Sequence, residues 1–195
     1  MTSTTKLAFF AGSTRQASFN RKLARAACDL ARERGYPADL IELADYPMPL
    51  YNGDQEIEEG PPENARKLRS VLRGHQGVFI ASPEYNASVT PLLKNTLDWM
   101  SRVRDDEEPG LALFRNRVFA ISGAPAGRYG AMRSLLALRQ VLEVGIGALV
   151  LPGQMALTGA EKAFDDAGGL VDVTLRDVLA GVVDKLGQAA QRLGQ

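Results

Sequence analysis

The most constraining feature of the sequence is an alternation of short apolar runs with longer segments of helical period. KLAFFAG (6–12), ADLIEL (38–43), GVFIAS (77–82), NRVFAISG (116–123) and GALVLP (147–152) each read as a strand, most of them continuously apolar rather than alternating. Between them the period changes to that of a helix. From Ser18, the residues Phe19, Leu23, Ala26, Ala27 and Leu30 line one face before Gly35 closes it, and further helices are predicted over 62–73, 89–103 and 128–145. Leu175, Leu179, Val182, Val183, Leu186, Ala190 and Leu193 form the stripe of a last helix. Five strands separated by helices predict parallel βαβ units with right-handed crossovers and helices on both faces of one sheet. For a doubly wound sheet of five strands the expected order is 2-1-3-4-5. At 195 residues the chain is expected to form one domain over 1–195, with 44–62 as a long surface loop and 152–170 as the other long connection.

Charge and cysteine content narrow the chemistry. Lys plus Arg and Asp plus Glu both total 23, so no net field points to nucleic acid or to an anionic membrane as a partner. The balance also speaks against a protein-to-protein electron carrier steered by a one-signed surface. Cys28, the only cysteine, rules out an internal disulfide and reads as lying off the apolar stripe of the first helix. No segment has the apolar length of a signal peptide or membrane span, and a cytoplasmic location is expected. The only histidine, His75, precedes the third strand at the end away from any crevice, and reads as structural or solvated.

In such a sheet a ligand lies outside the carboxyl ends of the strands, at the switch point between strands 1 and 3. The loops after strands 1, 3 and 4 are therefore the candidate site. Gly12-Ser13-Thr14-Arg15-Gln16-Ala17-Ser18-Phe19-Asn20 places hydroxyls and an arginine at a helix N-terminus, where amides and the helix dipole favour a phosphate. It ends in neither the Lys-Ser/Thr of a P-loop nor a dinucleotide fingerprint, so a mononucleotide phosphate is the better match. Ser18 is equally readable as a plain N-cap and Arg15 as a solvated charge. Ser82-Pro83-Glu84-Tyr85-Asn86-Ala87-Ser88 aims peptide groups and a planar ring into the crevice, Pro83 restraining the backbone. The alternative is a helix entry capped by Asn86 or Ser88. In the third loop, Ser122-Gly123-Ala124-Pro125-Ala126-Gly127-Arg128-Tyr129-Gly130, small residues let backbone approach a ligand closely, although such loops often only turn.

Taken together, GSTRQASFN at 12–20, SPEYNASVTPLLKNTLDWMSR at 82–102, SGAPAGRYGAMRSLLALRQVLEVGIGALVLP at 122–152 and, more weakly, AFDDAGGLVD at 163–172 resemble the NADPH-dependent FMN reductase family. That family includes bacterial quinone, azo-dye and chromate reductases. The resemblance implies a flavodoxin-like α/β fold, non-covalent FMN, NADPH or NADH as co-substrate, a small electron acceptor and ping-pong turnover. On matching positions, Ser13, Arg15, Ser18 and Asn20 would surround the FMN phosphate, and Phe19 is also among the expected cofactor-binding residues. Pro83, Glu84, Tyr85 and Asn86 would line the ring system, with Ser122, Gly123 and Gly127 at its other edge. Glu84 is expected to make a backbone contact and local hydrogen bonds rather than to act as an acid. Relatives often carry paired glycines where Arg128 and Tyr129 separate Gly127 from Gly130, and Arg15 and Arg128 are candidates for the 2′-phosphate of NADPH. Leu93, Leu97, Trp99 and Met100 supply more apolar surface than one sheet contact needs, and in the family this helix packs on another subunit, so a homodimer or homotetramer is expected. The competing reading is a flavodoxin-type carrier that holds FMN without direct NADPH turnover.

Overall fold

β1 (Leu7–Ala11), β3 (Gly77–Ala81) and β4 (Val118–Gly123) are buried at every residue, which is why these strands read as unbroken apolar runs. The computed structural model describes residues 5–104, 110–127 and 130–193. Side chains alternate between two cores. Leu7, Phe9, Phe79 and Ala120 face α1 (Phe19–Glu33) and α7 (Val173–Leu193). Phe10, Val78, Ile80 and Ile121 face α3 (Glu63–Arg73), α4 (Pro91–Arg102), α5 (Ala112–Arg115) and α6 (Met132–Arg139). The sheet runs β2-β1-β3-β4-β5 with every pairing parallel, β2 being Ala38–Ile41. This is the expected flavodoxin-like α/β order.

The fifth strand is shorter than expected. β5 is only Leu149–Val150, because the helical path of α6 continues through Gln140–Ile146 and ends at Gly147, whose φ of 77° is the left-handed geometry of a helix terminus. Pro152 and Gly153 then lead the chain away from the sheet. It returns as β6 (Met155–Ala156), which pairs with Ser122 and Gly123 of β4. The expected loop over 44–62 also contains regular structure: a 3-10 turn at Leu43–Asp45 and α2 (Gly53–Glu59), capped by Asn52, whose side chain accepts from the Asp54 amide at 2.9 Å. α2 buries none of its residues, so it carries no hydrophobic period to read.

Two further expectations are corrected by packing. Cys28 is fully buried in the core under α1, not off its stripe, and burial pushes its thiol up to about 11. Trp99 is buried too, but by its own chain. Its indole N–H donates to the Pro49 carbonyl at 2.7 Å, and Tyr51 meets it edge-on at 4.9 Å between centroids. Asn95 completes the tie, donating to Pro49 and accepting from the Tyr51 amide. The surplus apolar surface of α4 that suggested another subunit is therefore covered by the segment leading into α2. No helix among the described residues is long and apolar enough to cross a membrane.

Candidate functional site

The three loops converge on a cavity of about 630 Å3 beyond the carboxyl ends of β1, β3 and β4, within the size range of small-molecule sites. Ten of the twelve residues expected there line it: Ser13, Arg15, Ser18, Phe19 and Asn20 from the first loop, Pro83, Glu84, Tyr85 and Asn86 from the second, and Gly127 from the third. Ala87, Ala124, Pro125, Ala126, Gly130 and Arg133 line it as well. Arg128 lies outside the described residues.

At one end the cavity meets the N-terminus of α1. The first intrahelical bond there runs from the Lys22 amide to the Ser18 carbonyl at 3.2 Å, so the amides from Phe19 to Arg21 have no partner within the helix. Ser18 occupies the cap position, yet its hydroxyl makes no capping bond. No acidic residue lies in the first turn. Ser13, Arg15, Ser18 and the helix end thus present hydroxyls, a cation and the positive end of a dipole to one space, a donor set that fits a phosphate.

The second loop is a tight turn. Tyr85 and Ser88 exchange backbone bonds at 3.1 and 3.0 Å, with Asn86 (φ 49°) and Ala87 (φ 64°) both left-handed between them, the pattern of a type I′ turn. Tyr85 remains 54% exposed at the cavity, and its planar ring is free to lie against a flat ligand. Neither Asn86 nor Ser88 caps the next helix. Thr90 does, accepting from the Leu93 amide at 3.2 Å, with Pro91 in the first turn of α4.

The third wall departs from expectation. Ser122 and Gly123 are fully buried one step below the cavity. The Ser122 hydroxyl accepts from the Met155 amide at 3.1 Å and so holds β6 to β4. At Gly123 an added Cβ would come within 2.5 Å of Ala131 Cβ and 2.7 Å of the Ser82 carbonyl, so glycine there serves close packing of strand and loop. Ala124 to Gly127 take the place assigned to these two residues. β4 runs through Gly123, where the expected strand also ended, so Ser122 and Gly123 belong to the strand and the loop proper begins at Ala124.

One polar side chain ties each loop to the next. Asn20 donates to the Ala124 carbonyl at 3.1 Å and accepts from the Ala124 amide at 2.9 Å, so its amide joins the first loop to the third. Thr90 donates to the Gly12 carbonyl at 2.7 Å, joining the first loop to α4. Glu84 accepts from Arg133 Nε at 2.8 Å and from the Ser134 amide at 3.1 Å, joining the second loop to α6. Burial pushes the Glu84 carboxyl up, but the Arg133 guanidinium and the Ser134 amide outweigh it and hold the group below the usual carboxylate range. This matches the hydrogen-bonding role expected for Glu84. Arg133 carried no distinguishing signal in the sequence, where it is one of several arginines in a helical segment.

A doubly wound sheet whose switch-point loops offer a phosphate cradle, an exposed aromatic and a backbone-rich wall defines a flavin mononucleotide oxidoreductase of the flavodoxin-like class, and the donor set and cavity size fit FMN. Residues 5–162 match the NADPH-dependent FMN reductase family, and the chain belongs to that family. It is 34% identical over 190 residues, 96% of each chain, to an NAD(P)H-dependent FMN reductase of Pseudomonas aeruginosa. It is 34% identical over 184 residues, 93% of each chain, to a quinone reductase of Escherichia coli. Among solved structures it resembles FerB, a flavoenzyme NAD(P)H:(acceptor) oxidoreductase from Paracoccus denitrificans, with a TM-score of 0.80 at 25% identity, covering 96% of this chain and 98% of that one. The chain is an FMN-dependent oxidoreductase that draws electrons from NAD(P)H.

Proposed function

We propose that this chain is one FMN-binding domain that reduces quinones and similar small acceptors at the expense of NAD(P)H, the two substrates taking turns at a single opening. The observation that carries the reading is the convergence of three loops of separate chemistry on one cavity. Bound there, FMN supplies the two-electron chemistry that side chains lack. Ser13, Arg15, Ser18 and the N-terminal amides of α1 hold its phosphate. Tyr85, Pro83 and Asn86 orient its ring system, and the backbone of Ala124 to Gly127 offers amides to the ring's polar edge. No side chain is required as a proton donor, and Glu84, held ionised by Arg133, serves in position rather than in acid catalysis.

The half-exposed Tyr85 at the cavity supports direct access by small molecules, which favours a reductase over a carrier that docks a protein. A homodimer or homotetramer also belongs to this proposal. Its support is not α4, whose apolar face the chain covers itself, but Met132 and Leu136, exposed one turn apart on α6. A cytoplasmic location, where NAD(P)H is supplied, suits the same reading.

The test is optical and kinetic. Purified protein is expected to carry or take up FMN, to bleach when NADPH or NADH is added without oxygen, and to recover its colour on adding a quinone. Double-reciprocal plots at several quinone concentrations are expected to be parallel. Protein that takes up no FMN would sink the proposal. Protein that binds FMN but does not bleach is a carrier, and intersecting plots would exclude the shared opening. A monomer by light scattering at micromolar concentration would exclude the oligomer.

A further inference from the structure

Of the three ties between the cavity loops, two are neutral and buried: Asn20 is 3% exposed and Thr90 is 2% exposed. The third is charged. The Glu84 side chain is 8% exposed and its partner Arg133 is 53% exposed, and both residues line the cavity. The reason for a charged group here lies in α6. Its cap position is held by Ala131, left-handed at φ 61° and without a side chain able to accept from the helix amides. Glu84 supplies the missing acceptor from a different loop, one oxygen on the Ser134 amide at the positive end of the helix and the other on the Arg133 guanidinium. A single carboxylate therefore fixes the spacing of the second and third walls and holds a cation beside the ligand space.

We propose, on the basis of the FMN reading above, that Glu84 and Arg133 are a charge-compensated positioning pair that sets how strongly the cavity favours the reduced, more negative form of the cofactor. Together they contribute little net charge; removing either one changes the charge beside the ligand space by one unit. An exposed Arg133 cation stabilises added negative charge, and a bare Glu84 carboxylate opposes it.

The experiment measures the midpoint potential of bound FMN, together with the FMN dissociation constant from flavin fluorescence quenching, in the wild type, Glu84→Gln, Arg133→Gln and the double variant. Glu84→Gln keeps an acceptor for the Ser134 amide and is expected to raise the potential. Arg133→Gln is expected to lower it, and the double variant to return close to the wild type. Glu84→Ala, which also removes the cap, is expected to weaken FMN binding about tenfold, the scale of losing one charged hydrogen bond. Opposite shifts are a signature that mere loosening of the fold would not produce. Shifts of the same sign, or no shift in either single variant, would overturn the pair while leaving FMN binding intact. A wild type that binds no FMN would overturn the FMN reading and the pair with it.

Discussion

Arg15 and Ser18 show how differently two residues of one loop reach the same site. Arg15 is exposed at the α1 end of the cavity, while Ser18 is 2% exposed with its hydroxyl making no capping bond to the helix behind it. A bond from a charged donor to a phosphate contributes roughly 1.5–3 kcal/mol, so Arg15→Ala is expected to weaken FMN binding about 10- to 100-fold. The melting temperature of the FMN-free protein should stay within a degree, because the exposed Arg15 side chain makes no hydrogen bond or ion pair among the described residues. Titration of stripped protein with FMN checks the first statement and a thermal melt the second; equal affinities would remove Arg15 from the site. Both residues were visible in the sequence as a hydroxyl-and-arginine loop before a helix. Arg133 was not, since its importance depends on Glu84, 49 positions away, being folded against it.

At the level of elements, the type I′ turn over Tyr85–Ser88 stores strain. Left-handed backbone costs a residue with a Cβ roughly 1–2 kcal/mol, and Ala87 at φ 64° has no polar side chain to offset it. Ala87→Gly is therefore expected to raise stability by about 0.5–1 kcal/mol in chemical denaturation, the unfolded-state entropy of glycine offsetting part of the relief. No gain, or a loss, would show that the turn relaxes without cost. The residue pattern Tyr-Asn-Ala-Ser contains no glycine, so nothing local announced two consecutive left-handed residues. What accompanies them is the reciprocal pair of backbone bonds between Tyr85 and Ser88, which closes the turn between β3 and α4. α2 makes the same point: with no buried residue, its helix rests on the Asn52 cap and on Glu56, which pairs with Arg102 and accepts from Tyr51.

For the whole molecule, the end of the sheet opposite the cavity holds the one histidine of the chain. His75 is 2% exposed, its Nδ1 2.9 Å from the Val71 carbonyl and its Nε2 3.1 Å from Asp39 Oδ2, so it ties α3 to β2. Burial lowers its pKa from the ordinary value near 6.5, and the bonds to Val71 and Asp39 only partly oppose that. The unfolded chain therefore takes up the proton at higher pH than the folded one. Stability is full above about 6.5 and is lost as pH falls through that value toward the folded pKa. Because the chain has a single histidine, the melting temperature should decline between pH 7.5 and 5.5, and His75→Asn should flatten that decline. An unchanged slope in the variant would assign the effect elsewhere. The sequence by itself determined the parallel five-strand order, the three loops and their chemistry, because strand burial, helix period and loop composition are local patterns fixed by the pleat and the helical turn. Only the tertiary structure decided that Trp99 is covered by the chain's own 46–52 segment, that Ser122 and Gly123 pack below the cavity, and that Glu84 caps a helix begun 48 residues later at Met132. Each of these depends on which distant group arrives to satisfy a buried donor, acceptor or surface, and no local pattern encodes that arrival.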